Sequence, residues 1–245
     1  MGHIYKDTSS AYLQTLYDVY HTPDNVVSPR GMEVREKIYY QFSVLKPSSD
    51  PIQTMSEKRN KVIKSYTEKE SEWYKSGSLD VKDAAKISSF WNDIANPDGT
   101  VNSNYGYLIN IDKSEGNSKF SDERFTPIEW AYNSLINDVH TRQAIVRFNK
   151  PDHCFPGNRD FVCTMYGNFH IRDNKLNFVV RMRSTDLHYG LVYDMPYFIS
   201  IQEDMVERLR EHYKDLSIGM FTFSSDSLHI YKRSFKIVEA MLGEK

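Results

Sequence analysis

Hydrophobic positions along the chain change period several times, and each change marks an element. The most regular stretch runs from Phe161 to Met182. Phe161, Cys163, Met165, Phe169 and Ile171 fall on odd positions, and after Asp173-Asn174 the alternation resumes at Leu176, Phe178, Val180 and Met182. A period of two on either side of residues that tolerate the left-handed region predicts two half-buried strands joined by a turn. The pattern places Cys163 on the apolar face of the first strand. Val34, Glu36, Ile38, Tyr40, Phe42 and Val44 alternate likewise and predict a strand that ends at Pro47; Ile218 to Phe223 predicts another.

Helical spacing appears elsewhere. Tyr12, Leu13, Leu16, Tyr17 and Tyr20 predict a helix over Ala11 to Tyr20, with Ser9 and Ser10 suited to cap it. Lys61 to Tyr74 predicts a second helix, stopped by Gly77, whose buried stripe is Ile63, Tyr66, Glu70 and Trp73. Thr126-Pro127-Ile128-Glu129 is a capping box with proline at the first helical position, so a helix starts there and runs toward Val139. Phe198, Ile201, Met205, Leu209 and Tyr213 predict a long amphipathic helix. Residues 110 to 125 are polar and read as a surface loop. Strands and helices mixed in this way give an α/β (α+β) chain with a mixed sheet and flanking helices.

At 245 residues and 40% hydrophobic content the chain can bury one large core, so a single domain is expected. A net charge of −2 offers no basic field for a nucleic-acid polymer. No apolar run approaches the length that spans a bilayer, and the first residues lack a signal-peptide core. Cys154 and Cys163 do not have metal-ligand spacing, so no metal is expected and a reduced, cytoplasmic protein is the default.

Two positions carry candidate chemistry. A cysteine on a strand is, taken alone, a small packing residue. Here the second strand of the pair leads directly into Arg183-Ser184-Thr185-Asp186, so a thiol, a guanidinium and a carboxylate are expected near one sheet edge. Glu70 on a buried stripe should be paired or have a raised pKa, the property a general acid/base needs, although periodicity leaves open a helix rotated so that Glu70 only rims the core.

Cysteine, then Arg-Ser-x-Asp twenty residues on, then Gly190-Leu191-x-Tyr193-Asp194, resembles the thymidylate synthase family. The resemblance covers about Arg30 to Tyr231 and implies a homodimer that transfers a one-carbon unit from 5,10-methylenetetrahydrofolate, its co-substrate, to a pyrimidine nucleoside monophosphate. It implies that Cys163 adds to carbon 6 of the base and that Glu70, with Trp73 three residues on, is the catalytic glutamate. Tyr105, in Asn-Tyr-Gly, would lie near the nucleophile. Trp91 and Asp186 would border the folate, Asp186 counting among the catalytic residues as well, and Ile94 stands where the family commonly has a second tryptophan. Arg30, Arg183 and Ser184 would hold the nucleotide, His229 and Tyr231 its sugar hydroxyl. Arg142 would reach the partner subunit's phosphate site, with Gln143 where the family has a second arginine. Only fourteen residues follow Tyr231, where thymidylate synthases continue with a longer segment that closes over the site.

Two departures point within the family. Val162-Cys163-Thr164 replaces Pro-Cys-His, and Asp194 replaces the asparagine that reads uracil. Both resemble the phage deoxycytidylate hydroxymethylases, which implies a cytidine monophosphate as substrate and hydroxymethyl as the transferred group. Uridylate methylation or hydroxymethylation, a CMP-directed enzyme, and an inactive nucleotide-binding relative remain as alternatives.

Overall fold

The computed structural model describes residues 2–113 and 119–244; part of the loop expected over 110–125 therefore lies outside the described residues. In chain order the elements are β1 (His3–Asp7), α1 (Thr8–His21), β2 (Asn25–Val27), β3 (Val34–Lys46), α2 (Glu57–Ser76), α3 (Val81–Ala85), α4 (Phe90–Ile94), α5 (Tyr105–Asn110), α6 (Pro127–Asn137), β4 (Ile145–Arg147), β5 (Thr164–Arg172), β6 (Lys175–Met182), β7 (Thr185–Asp186), α7 (Val192–Leu209), β8 (Ser217–Tyr231) and α8 (Phe235–Leu242). Two compact units result, one of residues 1–67 and 173–245, the other of residues 68–172.

In the first unit the strands lie in the order β1-β3-β8-β6, with β2 on β3 and β7 on β8. The sheet is mixed: β3 runs antiparallel to β8, while β1 is parallel to β3 and β6 to β8. Its interior is aromatic, with Phe42 against Phe223 at 5.3 Å and Phe178 near Phe221 at 6.3 Å between ring centroids. Leu176, Phe178, Val180 and Met182 are all buried, as their alternation requires. The expected turn is present, with Asp173 and Asn174 both at positive φ (51° and 55°).

Several expectations need correction. Helix α1 begins at Thr8 and is capped by Asp7, whose carboxylate accepts from Ser10 N at 2.9 Å; Ser9 and Ser10 already lie inside the helix. Ile38 is 55% exposed although Val34, Tyr40, Phe42 and Val44 of the same alternation are buried, and Tyr39 beside it stands at φ 52°. Tyr213 lies beyond the end of α7. Strand β8 is more than twice as long as its apolar run suggested, since Ser224 to Ser227 continue it, paired with β3 from Ser224↔Gln41 to Ser227↔Ile38. His229 and Tyr231 consequently sit within β8. β1 and α8 have no counterpart in the apolar pattern.

The second unit joins β4 antiparallel to β5 and holds the C-terminal part of α2 with α3 to α6. Thr126 and Glu129 form the expected capping box, although α6 stops at Asn137. Trp73 and Trp91 meet at 4.9 Å, Tyr74 stacks on Tyr105 at 5.3 Å, and Tyr105 meets Phe148 edge-on at 5.3 Å. Gly106 permits the closest approach in this cluster: a Cβ there would lie 1.8 Å from the Tyr74 carbonyl oxygen, so α5 rests directly on the backbone of α2.

Candidate active site

Glu70 lies in the second unit, 7% exposed on the stripe that the helical period gave, one turn before Trp73. Helix α2 is therefore not rotated to leave Glu70 at a rim. Trp73 is fixed by its indole, which donates to the Ser78 carbonyl at 2.9 Å. Trp91 is buried, and its indole N–H meets no acceptor among the described residues. Tyr105 opens α5 behind the Asn104 cap, and its hydroxyl accepts from the Thr164 hydroxyl at 2.9 Å.

Cys163 differs from its expected place. It lies one residue before β5, half-buried, and the buried positions around it are Asp160, Val162 and Thr164. Buried alternation thus runs through the even positions here and returns to the odd ones at Gly167, Phe169 and Ile171. Two of the buried side chains are polar and Gly167 has none, so an apolar count selects the wrong face. The thiol is accordingly off the packed face, with Sγ 3.9 Å from the Phe161 carbonyl oxygen. Arg142 follows α6 on an exposed loop, and Gln143 beside it is exposed as well.

The remaining candidates belong to the first unit. Arg183 and Ser184 are half-buried between β6 and β7. Asp186 is in register with His229 across β7 and β8, and His229 meets Tyr231 edge-on at 5.2 Å. One oxygen of Asp186 accepts from His188 N at 2.7 Å and Tyr189 N at 3.4 Å, while Oδ2 is buried with no partner among the described residues. Burial raises its pKa against the pull of His229, those backbone donors and Arg233. A wide π-type turn, Leu187–Leu191, then feeds α7. Arg30, expected on a loop, is exposed in a short turn at φ 52°.

Asp194 sits in the first turn of α7 and is 9% exposed. A helix N-terminus favours a carboxylate by about 0.3–1 kcal/mol. Burial outweighs it and pushes the carboxyl up to about 7. Gly190 is what leaves room there: a Cβ at 190 would stand 3.3 Å from Asp194 Oδ2 and 2.9 Å from Thr185 Oγ1.

Sequence reasoning missed Arg59, whose guanidinium donates to the His188 carbonyl at 3.0 Å and to the Tyr193 hydroxyl at 2.7 Å. Tyr193 in turn stacks on Tyr66 at 4.0 Å, so both ends of the segment entering Asp194 are braced. His188 beside it is buried and held neutral, its pKa pushed down to about 3 by desolvation and by Arg59 and Arg233. An arginine in the first turn of a polar helix gives no signal of this kind by itself.

A family model described as thymidylate synthase matches residues 10–245. The chain belongs to the thymidylate synthase family. It is a transferase of that family, which moves a one-carbon unit onto a pyrimidine nucleotide. The deoxycytidylate 5-hydroxymethyltransferase of Enterobacteria phage T4 is 30% identical over 181 residues, 71% of this chain and 70% of that one. The deoxyuridylate hydroxymethyltransferase of Bacillus phage SP01 is 24% identical over 226 residues, 90% of this chain and 56% of its relative. Among solved structures, thermostable thymidylate synthase A from Bacillus subtilis superposes with TM-score 0.70 at 19% identity, covering 97% of this chain and 84% of that one. The family fold, a mixed sheet with flanking helices, is thereby shared. Among the described residues, no helix is long and apolar enough to cross a membrane.

Proposed function

We propose that this thymidylate synthase-family protein is a cytidylate 5-hydroxymethyltransferase, with dCMP as substrate and methylenetetrahydrofolate supplying the one-carbon unit. The observation that carries the reading is Asp194. It stands where the family's base-reading asparagine is expected, and burial poises its carboxyl at about 7. A neutral carboxyl donates O–H to cytosine N3 and accepts from the exocyclic amine, which matches both groups on that edge. Asparagine holds the same edge but has no proton to give up to N3. The identity to phage deoxycytidylate hydroxymethyltransferases supports the same base.

The chain's own residues then take these roles. Cys163 thiolate adds to carbon 6, and the electron pair displaced toward N3 is met by the Asp194 proton, which leaves carbon 5 nucleophilic. Glu70 serves as proton shuttle at carbon 5 and positions the water whose oxygen ends in the hydroxymethyl group. Tyr105 orients the nucleophile's surroundings. Arg30, Arg183 and Ser184 bind phosphate, and His229 and Tyr231 the sugar hydroxyl. Trp91 Nε1 and Asp186 Oδ2 are buried polar atoms without partners among the described residues, and each fits a polar contact to the folate.

A homodimer is part of the proposal. Ile4, Ile38, Tyr39 and Leu45, on β1 and β3, are 55–66% exposed, an apolar set suited to a second copy. Arg142 would then complete the partner's phosphate site, with a neutral Gln143 beside it.

A uridylate-directed reaction is the second reading, favoured by the SP01 relative. Tritium release from carbon 5 of labelled dCMP and dUMP separates the two. Wild type should prefer dCMP, and Asp194→Asn should shift the preference toward dUMP by about 10²-fold, about 3 kcal/mol. A wild type that prefers dUMP, or an unchanged ratio in the variant, replaces this reading with the second.

A further inference from the structure

Around Cys163 the buried side chains are Asp160, Val162 and Thr164, so the polar residues on either side of the cysteine face into the second unit. Asp160 is 5% exposed, and what it meets there is one short turn. Its Oδ2 accepts from Asn102 N at 2.5 Å and Ser103 N at 3.0 Å, and its Oδ1 accepts from the Ser103 hydroxyl. Asn102 returns a bond, its Nδ2 donating to the Asp160 carbonyl at 2.9 Å, and is itself oriented by Asn96, whose Nδ2 donates to Asn102 Oδ1 at 2.9 Å. On the other side of the cysteine, the Thr164 hydroxyl donates to Tyr105 at 2.9 Å. The residue between those anchors, Asn104, is fully buried; it caps α5 by accepting from Tyr107 N at 2.8 Å and donates to the carbonyls of Trp73 and Ser78, each at 3.0 Å. Trp73 is one helical turn beyond Glu70.

A hydrogen-bonded path therefore runs from both sides of Cys163, through residues 102–105, to the helix of Glu70. Burying a carboxylate is costly unless it is well bonded, and an apolar residue would fill position 160 without that cost. What an apolar residue cannot do is fix the angle of a backbone that precedes the first residue of a strand. Two N–H groups and a hydroxyl converging on one carboxylate do that.

We propose that Asp160, with Thr164, is a positioning residue of the one-carbon transfer: it holds the Cys163 thiol at a set distance and angle from Glu70 by clamping the nucleophile's segment to the 102–105 turn. The proposal rests on Cys163 as nucleophile and Glu70 as acid/base. Reacting groups misplaced by about 1 Å lose about 10²-fold in rate, so a loosened clamp should reach kcat far more than binding.

The experiment compares Asp160→Ala, Asp160→Asn and Thr164→Val in the full chain. It reads kcat by tritium release, the Kd for dCMP, and amide hydrogen exchange of segments 100–107 and 158–165. Asp160→Ala and Thr164→Val should each lower kcat by about 10- to 100-fold while the dCMP Kd stays within about threefold, with faster exchange in both segments together. Asp160→Asn keeps an acceptor for the two backbone donors and can donate to Ser103, so it should recover most of the loss. A kcat within about threefold of wild type in Asp160→Ala, or equal losses in kcat and affinity, or no recovery with asparagine, overturns the proposal. Should Asp160→Ala not fold, the buried near-isostere Thr164→Val decides the same way, unchanged kcat refuting the clamp. A wild type with no turnover on dCMP, CMP or dUMP refutes the functional reading beneath it, a result distinct from an active wild type with unaffected variants.

Discussion

Asp194 makes a prediction about stability that needs no substrate. Its folded carboxyl titrates at about 7 against an ordinary value of 3.8, so between those values the folded state keeps a proton that the unfolded chain has released. The native state binds more protons there, and stability must fall as pH rises, becoming constant above about 7. The interval is worth about 4 kcal/mol in full, at 1.36 kcal/mol for each pKa unit, of which about 3 kcal/mol falls between about pH 5 and pH 8. Other carboxylates contribute to the wild-type profile as well, so the informative quantity is a difference. Asp194→Asn cannot titrate, and urea unfolding of both proteins across that range should show the variant gaining on wild type by about 3 kcal/mol as pH rises. A difference independent of pH would mean that Asp194 ionises normally, and would remove the neutral carboxyl from the account of base recognition.

Three further outcomes are expected. Cys163→Ser should fold and bind nucleotide yet lose turnover by about three orders of magnitude or more, measured by tritium release; comparable activity would remove covalent catalysis. Gly190→Ala forces a methyl to within 2.9 Å of Thr185 Oγ1 and 3.3 Å of Asp194 Oδ2, so kcat/KM for the nucleotide should drop by about tenfold or more with a smaller loss of thermal stability, and an unaffected kcat/KM would mean that the Asp194 carboxyl does not touch the base. Mixing inactive Arg142→Ala with inactive Cys163→Ser should restore activity through heterodimers that keep one intact site, whereas none after verified subunit exchange would show each copy to be self-sufficient.

How much of this was legible in the residues varies with how each stretch buries its polar groups. Strand β6 follows the simplest rule, apolar inside, and its face was readable to the residue; the stripe of α2 was readable at Ile63 and Trp73, with Tyr66 half-buried, while periodicity alone left Glu70 between the core and its rim. The capping box at Thr126 was readable because two side chains at fixed spacing satisfy backbone donors whatever surrounds them. The stretch around Cys163 inverted that rule. Asp160 and Thr164 are buried because the 102–105 turn supplies their partners, and a turn sixty residues away leaves no mark on local periodicity. The same reason hid the second half of β8, where serines bond within the sheet: Ser225 Oγ donates to the Ser227 carbonyl at 3.0 Å, and Ser227 Oγ to Glu36 at 2.5 Å.

Candidate site residues were found by motif, and the motif said nothing of their surroundings. That Asp194 is buried enough to keep its proton, that Gly190 makes space for it, and that Arg59 braces the turn leading to it depend on the π-type turn at Leu187–Leu191. That turn is set by contacts of Asp186 and Arg59 with the backbone, which no residue pattern records.

The central claim is that this chain puts a hydroxymethyl group on a cytidine monophosphate. Mass spectrometry of the products formed from dCMP, CMP and dUMP, each with methylenetetrahydrofolate, tests it directly. dCMP should gain the mass of one formaldehyde, with dUMP converted far more slowly. A methyl gain on dUMP with dCMP untouched would contradict it, and would make the protein a uridylate methylase that carries an aspartate at its base-reading position.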